Sequence, residues 1–334
     1  GRQVRPGPDR IDVTTPAAAR EAASPSIRSG GPLRGIALKV ASVCCFVVMA
    51  TMLKATQTIP AGQMVFFRSF FALLPVLAWL AWTGHLAYAF TTRRPLGHVV
   101  RGLVGVASMG LGFFALTRLP LPEATAIGYA SPLIIVILSA LLLREKVYIF
   151  RWTTVLVGLV GVLIILFPRL TVFSGGAQPV DGTTIGALAA LAAAFLSAFA
   201  MLQVRTLVQT ERTEAIVTYF FISASVLSLF SLPFGWVWPT PQQAALLVGA
   251  GFFGGIGQLL LTSCYRYADM SVIAPFEYVS LLLTIIIGFI IFADIPTVPM
   301  LIGSTIIAAA GIAVILRERW LGLERTRAKE ASTP

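Results

Sequence analysis

Ser271–Phe292 reads SVIAPFEYVSLLLTIIIGFIIF, and its 22 residues hold one charged side chain, Glu277. A helix rising 1.5 Å per residue needs roughly 20 apolar residues to cross about 30 Å of hydrocarbon. The run is continuous rather than alternating, which suits a helix in lipid and not a strand of a membrane barrel. Comparable stretches lie near Gly35–Lys54, Gln63–Trp82, His98–Leu116, Pro122–Leu143 and Phe150–Phe167. Others follow near Ile185–Arg205, Ala215–Phe234, Gln242–Tyr265 and Val298–Leu316. The expectation is an all-α integral membrane protein with ten transmembrane helices.

Composition agrees. The chain is 57% hydrophobic and 12% charged, with mean hydropathy +0.86, whereas soluble domains carry about 25% charged residues. The net charge of +11 sits in tails and short loops. No basic, aromatic-interleaved segment falls in a folded part, so no nucleic-acid partner is expected. Cys44 and Cys45 adjoin in one apolar helix and Cys264 lies in another. They read as packing residues rather than a disulfide framework.

Lys and Arg set the orientation. With a cytoplasmic N-terminus, the inner segments hold Arg93, Arg94, Arg101, Arg144, Lys146, Arg151, Arg205, Arg212, Arg266 and the basic C-terminal run. The outer segments keep Lys54, Arg118 and Arg169. Positive charge concentrates on the cytoplasmic side of such proteins, so both termini are expected inside a bacterial inner (plasma) membrane, crossed many times.

The two halves are related. The same spacing of 149 residues separates Tyr129 from Tyr278, Ser131 from Ser280 and Glu145 from Asp294. Five spans per half make the second copy run inverted, an architecture common among alternating-access carriers. The expected organisation is a disordered cytoplasmic tail over 1–33, a five-helix repeat over 34–168 and a periplasmic linker over 169–182. A second repeat over 183–316 and a basic cytoplasmic tail over 317–334 complete it, with the two inverted repeats enclosing a central cavity.

Ionisable groups inside apolar spans cost several kcal/mol unless paired or wetted. Glu277 lies about 9 Å into the ninth span, with Ser280 and Thr284 at i+3 and i+7 forming a helical stripe. Pro275 precedes it and Pro132 interrupts the fourth span. Proline-broken spans in corresponding helices point to a carrier's binding site. Glu277 then meets a substrate ammonium or a proton, or else is a buried structural glutamate. Arg68 lies about 9 Å into the second span from the outer end, and Glu123, in the first turn of the fourth, is its expected structural partner. Gly251, Gly255, Gln258, Thr262 and Tyr265 share one face of the eighth span. The glycines serve packing, and Gln258, Thr262 and Tyr265 are candidates for cavity lining with Tyr129 and Tyr278.

Enzyme signatures are missing from the sequence. His85 and His98 make no HExxH or Cys/His metal spacing, and no Gly-x-Ser-x-Gly elbow occurs. Residues 249–254 match the glycine spacing of a dinucleotide loop but lie in a span without the required βαβ unit. No cofactor, metal or catalytic residue is expected.

Phe67-Arg68-Ser69, the run Leu119–Ala126, Leu143-Arg-Glu-Lys146 and Ala274-Pro-Phe-Glu-Tyr278 together resemble the drug/metabolite transporter superfamily with two EamA-type domains. The resemblance covers roughly Ile36 to Leu316. It implies ten helices around a cavity that opens at alternate ends. It also implies a small-molecule substrate, with members that move aromatic amino acids, S-adenosylmethionine or riboflavin. Asp294 departs from the family's usual Gly-Glu pair. The first expectation is export of neutral, especially aromatic, amino acids by a monomer, driven by gradients since no Walker loop occurs. A carrier of another metabolite is the second, and a membrane enzyme or non-transporting receptor the third.

Overall fold

A computed structural model describes residues 31–142, 149–169, 182–264, 267 and 270–331. Glu145, Tyr265, most of the expected N-terminal tail and most of the linker lie outside the described residues. Helices α1 (Gly31–Ala55), α2 (Ala61–Trp82), α3 (Leu86–Ala89), α4 (Pro95–Arg118), α5 (Leu121–Gly128), α6 (Ala130–Leu142) and α7 (Ile149–Leu166) come first. Helices α8 (Gly182–Leu207), α9 (Thr213–Leu229), α10 (Pro241–Cys264), α11 (Met270–Ile273), α12 (Val279–Phe292) and α13 (Val298–Ala331) follow. No strand occurs among the described residues.

Among the described residues, eight stretches are long and apolar enough to cross a membrane: Leu33–Ala55, Ala61–Trp82, Pro95–Arg118, Leu121–Leu142, Gly182–Val204, Pro241–Cys264, Pro275–Phe292 and Val298–Arg317. Two shorter apolar helices, Trp152–Leu166 and Thr213–Leu229, stand where the fifth and seventh spans are expected. Exposed side chains such as Leu156, Val160 and Leu163 on α7 and Phe289, Ile290 and Ile291 on α12 suit a lipid surround.

Two spans are not continuous. The fourth breaks at Tyr129, between α5 and α6, because Pro132 lacks the N–H that would reach the Gly128 carbonyl. The ninth starts as a 3-10 turn, Ala274–Tyr278, with Pro275 in its opening positions, and becomes α-helical only at Val279. Of the expected stripe, Glu277 thus stands in the 3-10 turn, and Ser280 and Thr284 stand in the α-helix that follows.

Helix neighbours are matched between the halves. α4 lies along α8 as α1 lies along α10, and α2 contacts α10 as α4 contacts α9. α2 meets α9, α5 meets α12, and α7 meets α13. Small residues permit these approaches. Ala187, Ala190, Ala194 and Ala198 of α8 are buried, and a Cβ on Gly303 of α13 would come within 2.5 Å of the Gly161 carbonyl oxygen on α7.

Where α8 ends and α4 begins, Glu211 ties the connecting segments together. Its Oε1 accepts from the Arg93 amide at 2.8 Å and its Oε2 lies 3.7 Å from His98 Nε2. His98 in turn packs against Tyr219, with ring centroids 4.7 Å apart and planes tilted by 31°. Burial opposes the Glu211 charge, but the Arg93 and Arg94 amides and His98 outweigh it and hold this carboxyl below the usual carboxylate range.

Candidate functional site

The two interrupted spans meet at their breaks. The rings of Tyr129 and Tyr278 stack, centroids 4.9 Å apart and planes at 25°. The Tyr129 hydroxyl donates to the Glu277 carbonyl at 2.6 Å, and Ser280 Oγ lies 2.7 Å from the same hydroxyl. The break makes this possible. A tyrosine between two helical segments is free of the side-chain row of either, and a 3-10 turn exposes a carbonyl that a continued α-helix would use.

Glu277 adds charge to this group. Its side chain is 56% exposed and its Oε2 lies 3.5 Å from Lys39 Nζ, whose side chain is only 4% exposed. The pair is lopsided, with a sealed cation on α1 reaching an open carboxylate. A lone buried ammonium is costly in lipid, so Lys39 depends on Glu277 more than the reverse. Within a few ångströms the protein thus offers a flat aromatic pair, a hydroxyl and a partly open carboxylate.

Other expected residues fall differently. Thr284 is buried and its hydroxyl bonds back to the Leu281 carbonyl at 3.0 Å. Thr262 bonds back to Gln258 at 2.8 Å, both half-buried on α10. Tyr265 lies outside the described residues. Glu123 is buried in the first turn of α5. The expected Arg68–Glu123 pair is not among the salt bridges of the described residues. Arg68 instead places its guanidinium over the Phe221 ring, 5.0 Å from the centroid, with Nε and Nη1 lacking an acceptor.

Two features escaped the sequence. Lys39 carried the same signal as Glu277, a lone charge in an apolar span, but its partner is about 240 residues away and no spacing indicates it. The second is a latch at the other end of α1, where Lys54 Nζ donates to the Leu116 and Leu119 carbonyls at 2.9 and 2.5 Å. A cation suits the C-terminal end of α4. Asp294, in the segment after α12, accepts from the Leu121 amide at 3.3 Å. The latch joins α1, α4, α5 and the second half, about 22 Å along α1 from Lys39 at 1.5 Å per residue.

Known proteins resemble the chain over most of its length. A model of the EamA-like transporter family matches residues 33–167 and 184–317. The S-adenosylmethionine uptake transporter of Rickettsia prowazekii is 29% identical over 260 residues, 77% of this chain and 83% of the other. The pseudopaline exporter CntI of Pseudomonas aeruginosa is 27% identical over 285 residues, covering 84% and 95%. A riboflavin transporter of Vibrio cholerae is 28% identical over 251 residues, covering 75% and 80%. One crystal structure aligns with a TM-score of 0.59 at 20% identity over 86% of this chain and 98% of that one, a likeness of fold alone. None of these names gives an aromatic amino acid, so that expectation finds no support.

Proposed function

The chain belongs to the EamA-like transporter family, and from that premise we propose that it moves a small heteroaromatic, positively charged metabolite, of the S-adenosylmethionine class, by alternating access. The observation that carries the substrate class is the exposed Glu277 carboxylate beside the stacked Tyr129–Tyr278 pair, inside an otherwise apolar span. A flat ring gains from stacking on tyrosine, and a cationic group gains from an unsaturated carboxylate that lipid excludes. Named relatives that move S-adenosylmethionine support the same class.

The alternating-access reading takes ten crossings arranged as two inverted five-helix repeats. It is supported by the matched helix neighbours and by the meeting of the equivalent tyrosines. The two ends differ, with an open glutamate at one end of α1 and, at the other, Lys54 held on the Leu116 and Leu119 carbonyls. Positively charged inner segments favour an inner membrane location with both termini cytoplasmic. One chain holds both halves, so a monomer suffices.

Reconstitution tests this. Proteoliposomes preloaded with unlabelled solute are given labelled S-adenosylmethionine, riboflavin and phenylalanine in turn. Counterflow of S-adenosylmethionine is expected. Counterflow of riboflavin alone would move the substrate to neutral heteroaromatics, for which the riboflavin transporter relative speaks. Movement of no solute would overturn the carrier reading.

A further inference from the structure

Two cations within the bundle have no carboxylate partner among the described residues. Arg68 of α2 is 7% exposed, and its Nε and Nη1 are sealed and without an acceptor. Arg101 of α4 is half-buried, and its Nε and Nη1 are equally unpaired. The two guanidinium groups lie over neighbouring rings of α9, Arg68 5.0 Å from the Phe221 centroid and Arg101 4.3 Å from that of Phe220. Those rings are 5.6 Å apart. Arg68 is about 10 Å from the start of α2 and Arg101 about 9 Å from the start of α4. The helices run in opposite directions, so the side chains converge from both ends on the bundle's middle. One turn before Phe221, the fully buried Thr218 hydroxyl also lacks a partner.

The rings account for where the guanidinium groups lie but not for their charge. A ring face attracts a cation by about 0.5–2 kcal/mol, while an uncompensated charge at this depth costs several. Stacking also leaves the in-plane N–H donors unused. Five such donors in a fixed fork match a carboxylate or similar oxyanion, which accepts two at once. We propose that Arg68 and Arg101 form an anion-binding site that takes the carboxylate of the transported metabolite, distinct from the Glu277 group.

The site's position fits a solute bearing both charges. A Cβ on Gly254 would lie 2.9 Å from Met49 Sδ and 3.4 Å from Arg68 Nε, so Arg68 stands beside Met49 of α1. Met49 is ten residues from Lys39, about 15 Å along the helix. A metabolite whose opposite charges lie close together would therefore meet the two sites in turn and not at once. Of the substrates considered, S-adenosylmethionine has a carboxylate and riboflavin none.

The transport arm of the test rests on the proposed function, and the binding arm does not. In proteoliposomes, S-adenosylmethionine is compared with its decarboxylated form. The site predicts that the wild type prefers the acid by about tenfold, the usual scale of a charge-assisted hydrogen bond. Arg68→Gln should erase that preference by raising KM for the acid alone, with partial recovery in Arg68→Lys. Equal losses for both solutes, or no preference in the wild type, would overturn the site. The binding arm uses detergent-purified wild-type protein and compares thermal stabilisation by benzoate with that by benzyl alcohol. Stabilisation by benzoate alone, lost in Arg101→Gln, supports the site even if nothing is transported. Equal shifts from both probes, or from neither, count against it. If a variant fails to fold, the two wild-type comparisons decide.

Discussion

Tyr129 and Tyr278 occupy the same place in the two halves of the chain and stack on one another at 4.9 Å. The contact coincides with the break in each span. The stack depends on a third residue. A Cβ on Gly311 of α13 would overlap the Tyr278 hydroxyl.

Gly311→Ala should therefore push Tyr278 off Tyr129 while leaving α13 helical. Losing an aromatic pair costs about 0.5–1.5 kcal/mol, or roughly a two- to tenfold rise in half-saturating substrate. Gly110→Ala is the control, since nothing lies within 4 Å of its added Cβ. Equal transport by the two variants would show that the stack plays no part in binding.

The Lys39–Glu277 pair predicts an asymmetry. Glu277→Gln leaves a sealed ammonium without its counter-charge, whereas Lys39→Met leaves a carboxylate that is already half in the open. The first should cost about 1–3 kcal/mol, a fraction of the penalty for breaking a fully buried pair, and the second less. The double variant should recover melting temperature without recovering flux. If both single variants melt alike, Lys39 does not rely on this carboxylate.

The spans could be read from the chain because hydrocarbon leaves little choice. A segment of twenty residues must be apolar nearly throughout, and eight of the expected spans stand at full length among the described residues. What that rule omits is rotation about each helix axis. Arg68 and Glu123 both enter from the outer end, which suggested a pair, but spacing along the chain does not show that Arg68 lies over Phe221. Glu277 stood out as a lone charge, but the 3-10 turn that Pro275 opens around it was not legible from spacing. Its partner Lys39 could not be named without knowing that α1 packs beside the start of the ninth span.

Glu211 gives the protein an acid-side limit. Its folded carboxyl titrates below the usual value of 4.5. The deprotonated form is therefore favoured by folding, and its stabilisation is fully present above about pH 4.5. It fades as pH falls through the lower folded value. Glu211→Gln should lower the melting temperature at pH 7 and narrow its gap from the wild type as pH approaches 3.5. A gap that is constant with pH would mean that the Arg93 amide and His98 do not act through the charge.

Gly161 and Gly303 let α7 and α13 cross with their backbones in near contact. A Cβ on Gly161 would stand 2.8 Å from the Gly303 carbonyl oxygen, and one on Gly303 would stand 2.5 Å from the Gly161 carbonyl oxygen. Neither clash involves a flexible side-chain tip, so the helices must separate to admit a larger residue. Without a hydrophobic drive between helices in lipid, close packing is most of what holds such a pair together. Gly161→Val should thus destabilise by about 1–3 kcal/mol, as overpacking does elsewhere, and Gly303→Val likewise. Because both act on one crossing, the double variant should cost much less than the two singles combined. Melting curves of the four proteins in one detergent decide the matter. Additive losses would place the two glycines in separate contacts and undo the crossing as described.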